Sequence, residues 1–327
     1  MNSKNYKFAS IFADDISAYL KLRESQGHQH LRERLYFVSF DRYLQSENVT
    51  KKELSAAIVE GWLQSLPPGI SVNTKIVYIS HYSQFAKYLN TLGIVVFIPE
   101  RPVDDKSYIP YVFSEEEIRR LFASVDNLAN ICLKSEFVKL QLPMLLRILY
   151  GCGLRLNEAL SLQVEDVGLK SGTLLIRSAK GNKDRLVPMD DSLADVLRLY
   201  ILQTLKSNSK DTLLFTNRKG ERHSGESMRY WFNKILETAG IDKPDLPRYS
   251  RNICLHCVRH TFAVHSFRKQ DLADIDMYSA SPMLSTYMGH EKVYGTEKYL
   301  HMTAENSTDI IEKTAEYSTG LFPEVPR

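Results

Sequence analysis

The sequence predicts a mainly α-helical chain with a small β-sheet, an α+β fold in two domains. Three observations carry this. Apolar residues recur at helical spacing over residues 1–100. Helix-start and helix-stop signals bracket those stripes. Only two short runs, Thr173–Ala179 and Arg185–Met189, read as strands, and a turn sequence joins them. A length of 327 residues fits two domains better than one, and 43% hydrophobic residues suffices for real cores.

The first helical stripe carries Ile16, Tyr19, Leu20 and Leu22, and the second carries Leu35, Phe37, Val38, Phe40 and Leu44. Thr50-Lys-Lys-Glu53 reads as a capping box ahead of a helix over Leu54–Leu66, which Pro67-Pro68-Gly69 ends. A fourth helix starts near Val72, carries Ile76, Ile79, Tyr82, Phe85 and Leu89, and stops at Gly93. Residues 1–100 thus form a helical domain. The polar, proline-containing stretch 101–110 reads as a linker. The second domain, 111–327, opens on another capping box, Ser114-Glu-Glu-Glu117, and continues into an apolar helix around Leu140–Tyr150. Gly151 and Gly153 break that helix, and a new one starts near Leu156. Arg155 sits at the junction, with Glu158 one turn on and able to hold it. Lys180-Gly-Asn-Lys183 is the expected hairpin tip between the strands. A helix is expected over Met228–Leu236, and a tail helix over about 304–318.

The net charge of +3 is mildly basic and neither requires nor excludes nucleic acid as a partner. Residues 1–6 lack the apolar core of a signal peptide, no apolar run approaches a membrane span, and four cysteines suit a reducing compartment. A soluble, cytoplasmic protein is expected. Cys254-Leu-His-Cys257 has the spacing of a metal or redox pair, but no second ligand pair accompanies it. Both cysteines are therefore expected to be small buried apolar residues.

The densest chemistry lies in Leu255–Thr261, Tyr287–His290 and Glu297–Leu300. His256, Arg259, His290 and Tyr299 fall within 44 residues. An isolated His-x-x-Arg is common in ordinary helices, and a tyrosine near a C-terminus is ordinarily a packing residue. The weight rests on the set. Two histidines and an arginine repel when charged unless an anion sits among them, and phosphate is an anion that the planar arginine fork grips. Tyrosine can form a covalent intermediate. The residues point to tyrosine attack on a phosphodiester. Lys183, Arg185, Arg218, Lys219, Arg222, Arg248 and Arg251 are candidate phosphate contacts.

In order, Gly-Leu-Arg155-Leu-Asn-Glu158-Ala-Leu, Lys180-Gly-Asn-Lys-Asp-Arg, Leu-His256-Cys-Val-Arg259-His260-Thr-Phe-Ala, Met-Gly-His290 and Tyr299-Leu-His resemble the blocks of the tyrosine recombinase (phage integrase) family, which includes the Xer recombinases and Cre. The stretch Gln270–Met283, rich in Asp and Met, departs from the family's short glycine turn. The resemblance implies a helical core-binding domain followed by a catalytic domain. It implies Tyr299 as nucleophile forming a 3′-phosphotyrosyl link, Arg155 and Arg259 on the phosphate oxygens, and Lys180 as general acid. His256 and His290 fall to the phosphate, and Glu158 and His260 to supporting roles. It implies no metal or cofactor, specific sites on double-stranded DNA, a dimer on each site and a tetramer in the synaptic complex. Integration or excision of a mobile element is the expected role, with an Xer-type chromosome-dimer resolvase as its alternative. Two other readings differ in kind. A type IB topoisomerase-like enzyme would relax supercoiled DNA without target sites, and a catalytically silent DNA-binding protein would form no covalent adduct.

Overall fold

The computed structural model describes residues 6–27, 31–104, 108–131, 137–177, 184–204, 212–245, 252–273, 275–290, 296 and 299. The fold is mainly α with one small sheet, as the sequence predicts. The chain divides into two compact units: the described residues up to Ile109 together with Asp245 form one, and the remaining described residues from Pro110 on form the other.

The N-terminal unit contains α1 (Ala13–Ser25), α2 (Leu31–Ser46), α3 (Ala56–Ser65) and α4 (Val72–Thr91). Its core is largely aromatic: Phe12, Tyr19, Phe37, Phe40, Trp62, Tyr82 and Phe85 are all buried, and Phe40 meets Trp62 edge-on at 4.8 Å. Asp41 is fully buried and accepts hydrogen bonds from the Tyr6 hydroxyl, two backbone N–H groups and Gln45, which pins the segment before α1. Three expectations change here. The cap of α3 is Ser55, whose hydroxyl accepts from the Ile58 N–H, and Leu54 bridges Val96 instead of starting the helix. Thr50–Glu53 therefore lies outside any helix. Leu22 and Leu35 are 42% and 49% exposed, so each lies outside the apolar stripe of its helix.

The C-terminal unit opens on α5 (Glu115–Ile131), with the expected capping box: Ser114 Oγ accepts from the Glu117 N–H and the Glu117 carboxylate accepts from the Ser114 N–H. A π-helical turn, Phe137–Gln141, leads into α6 (Leu142–Gly151), whose start is fixed by Pro143 in its first turn. Next come α7 (Leu156–Leu160) and the antiparallel sheet β1 (Val167–Gly168), β2 (Thr173–Ile176) and β3 (Arg185–Pro188), in order β1-β2-β3. The strands are shorter than predicted, and two-residue β1 is too short to show alternation. Then follow α8 (Asp191–Thr204), α9 (Gly225–Thr238), α10 (Leu255–Asp271) and α11 (Met277–Met288). Leu145, Ile148, Leu160, Leu174, Val187, Leu197, Phe215, Phe232 and Val258 share one buried core, so sheet and helices are packed as one body. Among the described residues no helix is long and apolar enough to cross a membrane.

Candidate active site

The site is built where α6 stops, α7 starts, and α10 and α11 pack on one another. Gly153, at φ +59°, turns the chain out of α6, and a Cβ there would lie 2.2 Å from the Phe262 ring of α10. Arg155 then takes extended backbone at the N-cap of α7. Glu158, on the first turn, accepts the Arg155 N–H at 3.0 Å and its Nη1 at 2.7 Å. The i,i+3 spacing that the sequence displays thus does two jobs at once.

Glu158 also receives Arg185 from β3 through both Nη atoms, at 3.1 and 2.8 Å, and lies 3.9 Å from Nη1 of Arg259. Three guanidinium groups face one carboxylate, which leaves a net positive site. Burial alone would push the Glu158 carboxyl up, but hydrogen bonds from Arg185 and from the Arg155 backbone, with the Arg185 charge, hold it at about 2.

The C-terminus of α11 completes the cage. Three successive carbonyls each take one arginine: Tyr287 O accepts Arg185 Nε at 3.0 Å, Met288 O accepts Arg259 Nη2 at 2.7 Å, and Gly289 O accepts Arg155 Nη2 at 3.1 Å. Carbonyls at a helix C-terminus carry the negative end of its dipole, so they favour cations. Gly289 ends the helix at φ +65°, and a Cβ there would meet the Arg185 guanidinium at 2.9 Å. That is the physical content of the Met-Gly-His block. Arg259 is 1% exposed and also donates Nη1 to Gly153 O at 2.7 Å. Burial, then the neighbouring Arg155, pull it down to about 10, so it stays charged at neutral pH.

Arg259 Nη2 lies 3.2 Å from His290 Nε2. Arginine only donates, so Nε2 accepts, Nδ1 carries the proton, and Nδ1 donates to Thr296 Oγ1 at 2.7 Å. Tyr299 is 1% exposed and its ring packs in an apolar pocket with Ala263, Val264, Phe267, Leu284 and Met288. Its hydroxyl lies 2.7 Å from His260 Nδ1. Burial pushes this phenol up to about 12, although Arg259 and Arg155 pull the other way. One turn back on α10, the exposed His256 meets His260 edge-on at 4.6 Å.

The structure therefore brings together Arg155, Glu158, His256, Arg259, His260, His290 and Tyr299. Arg185, a candidate DNA contact, is bound to Glu158 and Tyr287 inside the cage; its side chain is 11% exposed. Arg218 and Lys219 lie on an exposed turn, and Arg222 bonds Asn157 on α7 and Ser161 just after it. Lys180, Lys183, Arg248, Arg251 and the tail 304–318 fall outside the described residues. Sequence reasoning missed Thr296 and the α11 carbonyls. The left-handed glycine directly before His290 was the available signal. Cys254 is exposed rather than buried, because it caps α10 from outside the helix, whereas Cys257 is buried as expected. Among the described residues no group of three or more His, Cys, Asp or Glu side chains is disposed to hold a metal ion.

Glu158→Gln should destabilise the C-terminal unit by about 3–5 kcal/mol at neutral pH, because it leaves buried arginines without their counter-charge. The carboxyl sits at about 2 in the folded chain against an ordinary 4.5, so its contribution is complete above 4.5 and fades as pH falls toward 2. In urea unfolding, the gap between parent and variant should close across that window. A gap independent of pH would show that the charge of Glu158 is not its source.

The phage integrase family model matches residues 112–306, the stretch that contains the whole cage. The tyrosine recombinase XerC of Oceanobacillus iheyensis is 27% identical over 317 residues, covering 94% of this chain and 90% of that protein. Among solved structures, the XerH site-specific recombinase bound to palindromic difH substrate aligns with a TM-score of 0.65 at 21% identity, covering 87% of this chain and 78% of that one. A lambda integrase dimer bound to a COC′ core site aligns at 0.63 with 10% identity, covering 88% and 94%. These two likenesses are of fold. With the family model spanning more than half of its length, the chain belongs to the phage integrase family.

Proposed function

We propose that this protein is a site-specific DNA recombinase that breaks and rejoins double-stranded DNA through a 3′-phosphotyrosyl intermediate. The observation that carries the reading is the excess of cations over Glu158, with a tyrosine hydroxyl in the same cage. Such a site is complementary to a phosphodiester whose charge grows during attack. The Tyr299 oxygen attacks phosphorus, the bond to the 5′-oxygen breaks, and the phosphate energy is kept in the new ester for rejoining. Arg155 and Arg259 neutralise the non-bridging oxygens. His260 is the nearest base for the phenol proton, His256 takes a phosphate contact, and His290 acts by fixing Arg259. Arg185 is a positioning residue. DNA is the partner, through the C-terminal unit and, as separate domains joined by a linker, through residues 1–100. Arg218, Lys219, Arg222, Lys183, Arg248 and Arg251 are proposed backbone contacts. Two protomers on each site and four in the synaptic complex complete the exchange, and the protein acts in the cytoplasm. Incubation with genomic DNA fragments should yield denaturant-resistant adducts that map to a small set of sequences. Relaxation of supercoiled plasmid without such sites would favour a topoisomerase, and absence of any adduct would favour a silent DNA-binding protein.

Lys180 is proposed to protonate the departing 5′-oxygen. A 5′-bridging sulfur leaves without that proton. Lys180→Ala should therefore cleave ordinary DNA poorly and sulfur-substituted DNA nearly as well as the parent, whereas Lys183→Ala should show no selective rescue. Rescue of the Lys183 variant alone would exchange the two roles.

A further inference from the structure

The first turn of α10 carries a feature that strand exchange does not use. Cys254 caps the helix and is exposed, Cys257 lies one turn in and is fully buried, and their Sγ atoms are 3.9 Å apart. The Cys254 N–H also points at Cys257 Sγ, at 3.4 Å. We propose that Cys254 and Cys257 form a reversible dithiol–disulfide couple, oxidised by small-molecule disulfides, at the base of the helix that carries His256, Arg259 and His260.

The two sulfurs are set up for different parts. Cys254 is reachable by an oxidant and sits at a helix N-terminus, where backbone N–H groups favour an anion. The Cys257 thiol beside it lowers the Cys254 pKa, and the Lys243 charge adds to this; the same contact, with burial, raises that of Cys257. The Cys254 thiolate attacks the small disulfide, forming a mixed disulfide and releasing one thiolate. Cys257 then loses its proton and attacks Cys254 Sγ, forming the internal bond and releasing the second thiolate. Two electrons pass from the protein to the oxidant, which leaves as two thiols. The sulfurs need only close from 3.9 Å to about 2.05 Å. His256 lies between the two cysteines and Arg259 two residues beyond, so tightening this turn displaces both.

The effect on cleavage rests on the proposed function, but the chemistry can be read without it. Trypsin cutting after Arg251 and Arg259 places both cysteines in one peptide, apart from Cys132 and Cys152. After the full chain is treated with glutathione disulfide, that peptide should be lighter by two hydrogens and should revert with dithiothreitol. Cys257→Ser should trap glutathione on Cys254, and Cys254→Ser should leave Cys257 unmodified. A peptide that stays reduced, or one in which glutathione remains on Cys254 of the parent chain, overturns the couple. Oxidation should slow covalent adduct formation by about tenfold to a hundredfold, as displacements near 1 Å can, and Cys254→Ser should be insensitive to the oxidant. An internal disulfide with unchanged adduct formation would overturn the link to the site. A chain that makes no adduct in either state counts against the recombinase reading, and the peptide then decides the couple alone.

Discussion

Tyr299→Phe is expected to abolish the covalent protein–DNA adduct while leaving DNA binding close to that of the parent. Phenylalanine keeps the ring that fills the pocket between α10 and α11 and removes only the oxygen bonded to His260. The lost hydrogen bond should cost about 1 kcal/mol of stability, too little to unfold the unit. The cationic cage is untouched, so phosphate binding survives. The buried phenol, pushed up to about 12, carries its proton at neutral pH, so attack requires that proton to move as the bond forms. His260 Nδ1, at 2.7 Å, is the group in place to take it. Gel analysis after denaturation gives the answer directly. An undiminished adduct from the variant would mean another residue attacks, with Tyr294 next to be tested.

How far the sequence led can be judged residue by residue. Local relations were legible. Arg155 and Glu158 stand three apart, and Ser114 and Glu117 form their box within one turn, so the chain's own spacing displayed the contact. The fold class was equally plain, because helical periodicity averages over many residues. Contacts between distant segments were not legible. Arg185 lies 27 residues from Glu158 and on a strand, where an arginine after a lysine-rich turn looks like any surface cation. Nothing in one sequence tells that its guanidinium is spent on a buried carboxylate. Nor does sequence spacing reveal that three consecutive carbonyls at the C-terminal end of α11 and its cap will each hold an arginine from a different part of the chain. Boundaries failed for a related reason. Thr50 and Ser55 are both chemically competent caps, and the pairing of Leu54 with Val96 sets the outcome. Cys254 departs from its expected burial because residue type predicts burial only on average, and a cap position lies outside the packed turn.

Arg259→Ala is expected to lower cleavage by about 10³-fold or more, the scale of an arginine aimed at a transferring phosphoryl group, and Arg259→Lys should recover only a small part. The shape of the side chain matters here as much as its charge. One guanidinium here joins Gly153 O on the turn after α6, Met288 O at the end of α11, and His290 Nε2. A single ammonium cannot reproduce that planar fork, so lysine leaves at least one buried acceptor without its donor. Protonation adds to the difference. The same burial and the same Arg155 charge that pull Arg259 down to about 10 would act on a lysine that starts lower, at ~10.4. The lysine variant should therefore lose activity at a lower alkaline pH than the parent, and the ratio of their cleavage rates should widen as pH rises. Alanine also strips a buried cation from Glu158, so cleavage has to be compared at temperatures where circular dichroism shows both variants folded. Near-parental cleavage by the lysine variant, with a flat pH ratio, would show that Arg259 serves as a point charge and that the fork is not used.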